Sequence, residues 1–218
     1  MNTTNQQFLE RLQGGIEMVA DDVMNLMISQ HCFNRLVSIV KSNRNIREPN
    51  VFLEVFKFNY TAFSVSSICR QIDRSPQVVS LIKLLLEIER NASKITKHWF
   101  ASQYVRTGRS YGLSEFQEFF GQLDYVDPSL VRADFEDLQR ETRYIVRLRH
   151  KRIAHYDKEE FVLDRNLNFG YLNKAISIVE RLTVKYYLLL RQVGHSEGLL
   201  PAGLEEEEAI FTFPWQSS

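Results

Sequence analysis

The sequence predicts an all-α domain, and three observations point to this fold class. Only 9 glycines and 5 prolines occur in 218 residues, and three of the prolines stand where helices are expected to begin, because proline at the first helical position gives up no hydrogen bond. Apolar residues recur at helical spacing over long segments. No two short alternating segments are joined by a hairpin turn, so no strand pair is predicted.

The segment before Gly194 has the clearest helical period. Its apolar residues are three or four positions apart, which keeps them on one helix face for about six turns. They are Leu172, Ala175, Val179, Leu182, Tyr186, Leu189 and Val193. A face of this length predicts a helix that packs lengthwise against the rest of the domain.

Other segments are also predicted to be helical. The block from Val78 to Ile88 is almost continuously apolar, which is typical of a helix with neighbours on several sides. The segment from Val51 to Ile68 contains β-branched and aromatic residues that would also suit a strand, but it lacks hairpin turn signals, so a helix is predicted. The N-terminal region is expected to form one helix from Phe8 to Met27 and a shorter one from Phe33 to Val40.

Prolines beside capping residues mark the helix starts. Ser75-Pro76 and Asp127-Pro128 each offer an N-cap side chain followed by proline, and Glu48-Pro49 opens the segment before Val51. We therefore expect one domain over residues 1–198, with N-terminal helices in 1–45 and a core bundle in 49–195. Residues 199–218 form an acidic and then aromatic tail, in which Glu205–Glu208 precedes AIFTFPWQSS.

Composition excludes several classes of protein. Lysine plus arginine equals aspartate plus glutamate at 27 each, so the whole chain has no net attraction to nucleic acid or to an anionic membrane. Cys32 and Cys69 lack the spacing of a metal site or a disulfide framework. Neither an apolar leader nor an uninterrupted run of about 18 apolar residues occurs, so we expect a cytoplasmic protein without a membrane segment.

Positive charge is concentrated in one stretch of the chain. Between residues 140 and 158, seven basic residues minus two acidic ones leave a local excess of +5. The basic residues are Arg140, Arg143, Arg147, Arg149, Lys151, Arg152 and Lys158, and the acidic ones are Glu141 and Asp157. Most such runs form the solvated face of a helix, and charge alone leaves that interpretation open.

Two histidines, His150 and His155, lie inside this basic stretch. Histidine has the pKa closest to neutral pH, as general acid–base catalysis requires, and cationic neighbours would lower the pKa of both rings. On a helix with about 100° per residue, Arg149 and His155 flank one face about 120° apart, with Arg152 and Tyr156 between them. Apolar residues at the adjacent turns favour a groove or a dimer seam that holds an anion.

The stretch RLRHKRIAHYDKE resembles the signature of the HEPN superfamily, in which an arginine and a polar residue precede a histidine by several positions. Here these residues are Arg149, His150 and His155. The upstream segment CRQIDRSPQVVSLIKLLLEIE and the long closing helix resemble the AbiU-type abortive-infection branch of that superfamily. The resemblance covers roughly residues 20–195, and only the short motif is specific.

The resemblance implies an antiparallel helical bundle with additional N-terminal helices, and a homodimer in which two motifs form one cleft. It also implies a metal-independent endoribonuclease of phage defence or of a toxin–antitoxin system, with RNA and an antitoxin as partners and with no cofactor or metal. Arg149 would hold the scissile phosphate, His155 would act as general acid or base, and His150 would orient them. This sequence departs from the pattern at His150, where asparagine or aspartate is commoner, and at Tyr156, which directly follows the histidine.

The predicted RNA contacts surround this motif. They are Arg143, Arg147, Lys151, Arg152, Tyr156 and Lys158, with Asp73 and Asp157 as supporting carboxylates. Asp73 either pairs with Arg149 or closes the turn before Ser75. The alternative function is a non-catalytic helical module whose basic seam binds RNA, a nucleotide or a protein. A third alternative is that Arg149 and His155 hold a dimer together.

Overall fold

The computed structural model describes residues 3–43, 51–104, 109–149, 169–193 and 198–201. These residues form seven α-helices: α1 (Thr3–Ser42), α2 (Val51–Gln71), α3 (Leu81–Arg90), α4 (Lys97–Ser102), α5 (Arg109–Phe120), α6 (Pro128–Leu148) and α7 (Phe169–Arg191). Within these ranges there is no strand, only an isolated antiparallel bridge between Thr96 and Tyr125. The predicted all-α class is therefore confirmed. None of the helices described is both long enough and apolar enough to cross a membrane.

The two longest helices, α1 and α7, form an antiparallel pair that runs through the domain. Near the start of α1, the Gln13 side chain donates to the Leu190 carbonyl at 2.8 Å, and further along, Gln30 donates to Asn173 at 3.2 Å. The apolar stripe predicted for α7 faces α1 and the other helices that surround α7. Its buried members are Leu172, Ala175, Val179, Leu182, Tyr186 and Leu189, whereas Val193 lies past the helix end and is exposed.

Helix α2 packs antiparallel to α1 and extends past the start of α7. The Phe33 ring of α1 stacks on the Tyr60 ring with centroids 4.2 Å apart. The Phe169 ring at the start of α7 lies beside both, 5.7 Å from Phe33 and 6.4 Å from Tyr60. At the opposite end of α2, Arg70 bonds to Asp22 of α1 at 2.5 Å. The helix predicted over Val51–Ile68 is confirmed, because these contacts to two neighbours override its strand propensity.

A buried carboxylate joins α6 to α7. Asp134 is 7% exposed, and it accepts hydrogen bonds from the Lys185 ammonium at 2.6 Å and from the Tyr186 hydroxyl at 2.9 Å. Burial and the negative charge of Asp134 raise the pKa of the Tyr186 phenol well above its ordinary value, so the phenol stays a donor. The start of α6 is as predicted, since Asp127 caps it ahead of Pro128.

Helices α4 and α5 form a small aromatic layer before α6. Phe100 packs edge-on against Phe116 and Phe120, with centroids 5.5 and 5.8 Å apart. The Val126 backbone N–H donates to the Ile95 carbonyl at 3.1 Å, which ties the segment before α6 to the start of α4. This layer sets the direction of α6, and the C-terminal end of α6 carries Arg149 of the predicted site.

Two predicted helix boundaries are wrong. α1 is continuous through residues 28–33, because no proline or glycine interrupts it and Phe33 continues the packed face of the helix. α3 begins at Leu81 and not after Ser75-Pro76, because the Ser80 side chain caps it by accepting from the Lys83 N–H. Residues 73–80 instead form a loop held by side chains.

The chain beyond α7 folds back on that helix. Leu199 is buried, and its backbone N–H donates to the Glu180 carboxylate at 3.3 Å. Residues at the beginning of the predicted tail therefore belong to the packed domain.

We expect Asp134→Ala to lower the free energy of unfolding by about 3 kcal/mol, because it leaves an ammonium and a phenol without their buried acceptor. Asp137, one turn later on α6, is a matched control, since its side chain is 37% exposed and pairs with Arg140 and Arg181 at the surface. Asp137→Ala should cost less than about 1 kcal/mol. Urea denaturation of both variants measures the difference, and equal losses would contradict this account of the α6–α7 contact.

Candidate functional site

Arg149 extends α6 by one position beyond Leu148. Its backbone N–H donates to the carbonyls of Ile145 and Val146, so the residue remains helical. At about 100° per residue, Arg149 lies about 40° from Ile145, on the stripe that faces the core. Thr142 and Ile145 on this stripe are buried, whereas Arg149 is exposed. The helix therefore carries a cation at the open end of its core-facing side.

The Arg149 guanidinium lies against the end of α2. Burial raises the pKa of the Cys69 thiol, and the charge and hydrogen bond of Arg149 partly oppose that rise. The charge of Arg149 also contributes to lowering the pKa of Asp73. Arg149 therefore acts on Asp73 through its charge, and no ion pair joins these two described side chains.

Asp73 is held in a loop that its own side chain closes. Its carboxylate accepts from the Ser75 backbone N–H at 2.8 Å, and its carbonyl accepts from the Ser80 hydroxyl at 2.6 Å. The hydrogen bonds from Ser75 are the main cause of the lowered pKa of Asp73, ahead of the charges of Arg149 and Lys83. Asp73 therefore closes the turn ahead of Ser75, and an ion pair with Arg149 stays a prediction.

Lys83 of α3 fixes the outer side of the same loop. Its ammonium donates to the carbonyls of Ser75 at 2.9 Å, Pro76 at 3.0 Å and Val78 at 2.6 Å. Three backbone acceptors around one ammonium restrict the loop without any regular secondary structure. The position of Asp73 in this loop is therefore fixed by Ser80 and Lys83 at the start of α3.

Asp22 of α1 holds the last turns of α2 in place by hydrogen bonds. Its carboxylate accepts from Ser67 at 3.1 Å, from Arg70 at 2.5 Å and from Gln71 at 2.6 Å. The Gln71 amide oxygen in turn accepts from the Leu81 backbone N–H at 3.3 Å. Sequence reasoning missed Asp22, although the signal was present: an acidic residue three places after Val19 and four before Leu26 borders a buried stripe.

The predicted RNA contacts on α6 do not lie with Arg149. Arg143 and Arg147 are exposed, and on the helical wheel they are about 160° and 200° from Ile145, which places them on the outer face. Neither forms an ion pair with another residue that the structure describes. Arg140 differs, because it pairs with Asp137 at 2.6 Å and Glu141 at 3.0 Å. The basic stretch is thus divided between two faces of one helix.

The remaining predicted site residues lie outside the described part of the chain. They are His150, Lys151, Arg152, His155, Tyr156, Asp157 and Lys158. Their roles stay predictions. Within the described ranges, no three histidine, cysteine, aspartate or glutamate side chains converge as metal ligands would.

A cleft that the sequence did not indicate opens between α1, α2 and α7. Its volume is about 750 Å³, and Phe33, Tyr60 and Phe169 line one wall while Val37, Leu53 and Lys57 contribute to the rest. The Lys57 ammonium lies 5.7 Å from the centre of the Phe169 ring. No sequence motif marks this cleft, because its residues come from three separate helices.

Comparison of the chain with protein-family models, with curated proteins and with solved structures finds no match in any of the three. The resemblance to the HEPN superfamily therefore rests on the residues of the short motif and on the helical pattern around it.

We expect Asp73→Asn to destabilise the protein at pH 7 and to have progressively less effect in acid. A carboxylate whose pKa is lowered by folding stabilises the folded state above its unfolded pKa of about 3.9, and this contribution is lost as the pH falls through the folded value. Urea denaturation of wild type and variant at pH 7, 5 and 3 tests this. A difference that stays constant down to pH 3 would show that the charge of Asp73 has no such role.

Proposed function

We propose that this chain is a metal-independent endoribonuclease that cleaves RNA by attack of the neighbouring 2′-hydroxyl. The observation that supports it most is the position of Arg149, an exposed cation at the end of α6 that hydrogen-bonds to Cys69 and whose charge acts on Asp73. His150 follows it directly, and His155 is six positions further along the chain. A positioned imidazole and a cation are sufficient for this reaction.

In the proposed reaction the RNA supplies its own nucleophile. The imidazole of His155 takes the proton of the 2′-hydroxyl, the 2′-oxygen bonds to phosphorus, and the bond to the 5′-oxygen breaks. The leaving oxygen takes up a proton from solvent, which gives a 2′,3′-cyclic phosphate and a free 5′-hydroxyl. The guanidinium of Arg149 stabilises the negative charge that builds up on the phosphate oxygens, and His150 orients the two groups.

Asp73 supports Arg149 in this scheme. The negative charge of Asp73 attracts the guanidinium, and a positioned donor stabilises a transition state better than a mobile one. Because the loop of Asp73 is itself tied to Lys83, the support does not depend on bound RNA. Arg143 and Arg147 on the outer face of α6 attract the RNA backbone over a longer distance.

The biological setting of the proposal comes from the resemblance alone. It places the enzyme in phage defence or in a toxin–antitoxin system in the cytoplasm, as a homodimer whose two motifs act together, with an antitoxin as a further partner.

A second candidate function is a helical module that binds RNA without cutting it. The exposed Arg143 and Arg147 favour it, because no described acidic residue pairs with them and they face away from Arg149. Such a module would lose affinity with each arginine removed and would be insensitive to the removal of His155.

The deciding experiment is incubation of purified protein with transfer RNA and total RNA in EDTA. We expect wild type to cleave RNA, and His155→Ala and Arg149→Ala to lower the rate at least about 100-fold, the usual size of a general acid–base contribution. Arg140→Ala is the matched control, because this arginine of α6 is already paired with two carboxylates. It should retain activity.

Three other outcomes would contradict the proposal. Cleavage that persists in His155→Ala would place the activity at another site or in a contaminant. Wild-type protein that binds RNA without cutting it would favour the binding module. A change in the elution volume of either inactive variant would instead indicate that Arg149 or His155 holds the assembly together.

A further inference from the structure

Two tyrosine rings stack on each other at the end of the groove between α6 and α7. The ring centroids of Tyr144 on α6 and Tyr171 on α7 are 4.6 Å apart, and the ring planes differ by 26°. Tyr144 is half-buried, and Tyr171 is 46% exposed. We call these two residues the tyrosine pair. Because the pair presents ring surface to solvent, it can stack on a further planar group.

Exposed cations flank the tyrosine pair. Arg147 follows Tyr144 by three positions on α6, and Lys174 follows Tyr171 by three positions on α7. Residues three apart on a helix are neighbours on its surface. Because α6 and α7 run antiparallel, the two cations lie on opposite sides of the rings, each about 4.5 Å away along the helix axis.

The charges of these two cations are not neutralised within the described part of the chain. Neither Arg147 nor Lys174 forms an ion pair with another residue that the structure describes. Glu141, the acidic residue one turn before Tyr144, is already bonded to Arg140 at 3.0 Å. An exposed cation without a carboxylate partner keeps its attraction for an anion. The groove therefore attracts anions on both sides of the tyrosine pair.

We propose that the tyrosine pair stacks on an unpaired base of the RNA, and that Arg147 and Lys174 bind the phosphates on either side of that base. Basic groups beside aromatic rings are the usual means by which proteins hold single strands. A base inside a duplex is already paired and stacked, so it cannot reach the rings. The site therefore selects unpaired nucleotides.

The two cations decide which planar ligand fits the rings. A nucleic-acid strand carries a phosphate before and after each base, so it can satisfy both cations at once. An arginine-rich peptide can also stack on tyrosine rings, but Arg147 and Lys174 repel it. A single strand is thus a better match than a basic segment of another protein.

The tyrosine pair lies near the proposed catalytic residues without including them. Arg149 is five positions beyond Tyr144, which is about 8 Å along the axis of α6 and about 140° around it. A strand that crosses the end of α6 contacts both, and the stacked base belongs to a nucleotide beside the one that is cut. This inference rests on the proposed function, because the RNA held here is the RNA that Arg149 contacts.

The test is binding of a fluorescein-labelled single-stranded DNA of about 12 nucleotides, measured by fluorescence anisotropy. This probe keeps the bases and phosphates but lacks the 2′-hydroxyl, so the proposed reaction cannot cut it. We expect Tyr171→Ala to weaken binding about 10-fold, the size of one lost base–aromatic contact. Tyr171→Phe keeps the ring and should bind like wild type.

Tyr111→Ala is the matched control for the loss of a ring. Tyr111 is 54% exposed on α5 and also stands beside another tyrosine, Tyr104, at 5.8 Å. It has no part in the proposed site, so its variant should keep the affinity of wild type.

A duplex of the same sequence separates stacking from charge. Tyr171→Ala should leave the affinity for the duplex unchanged, because no base is free to stack. Arg147→Ala and Lys174→Ala should each lower the slope of log affinity against log salt on the single strand by about 0.7, as expected for one lost phosphate contact. Both side chains are exposed, so these variants keep the fold even if Tyr171→Ala does not.

Four results would overturn the inference: no binding of the single strand by wild type, equal losses in Tyr171→Ala and Tyr111→Ala, an equal loss of Tyr171→Ala on duplex and single strand, or salt slopes unchanged in both cation variants. No cleavage enters these measurements. A protein that binds as expected but leaves RNA intact in EDTA would lose the proposed nuclease and keep this site.

Discussion

The position of α2 is set by one partly buried carboxylate, and the candidate site is built on it. Asp22 of α1 accepts hydrogen bonds from three residues in the last turns of α2, and one of them, Gln71, continues the contact to the first residue of α3. Charge-assisted hydrogen bonds of this kind are stronger than neutral ones and are directional. They fix where α2 ends, and thereby where Cys69 and Asp73 stand relative to Arg149.

Part of the fold was predictable because its signals are local. The Asp127-Pro128 start of α6 needs only an N-cap and a proline, and the α7 stripe needs only a period of 3.6 residues. The other boundaries depend on contacts between distant residues. Ser75-Pro76 has the local form of a helix start, but Lys83 and Asp73 hold that segment as a loop. A local pattern cannot show which of two candidate caps tertiary contacts will use.

The candidate site was predictable to a similar extent. The motif and the helical spacing placed Arg149 on the core-facing side of a helix, where the structure also has it. The sequence could not show that Arg143 and Arg147 lie away from Arg149, because a count of charge ignores direction around the helix. Nor could it show that α2 exposes half of its apolar residues. Hydropathy indicates which side chains should be buried. Only the packing of neighbouring helices shows which side chains are buried.

The pairing of α1 with α7 joins the two ends of the domain. The Gln13 side chain donates a hydrogen bond to the Leu190 carbonyl, although 177 positions of sequence separate the two residues. At about 5–20 residues per second, the ribosome needs about 10–35 seconds to make that much chain. During this time the apolar stripe of α1, with Leu12, Ile16 and Val19, lacks its longest partner. The core therefore closes only after α7 has been made, and a nascent chain that stops before α7 displays this apolar stripe to the cell.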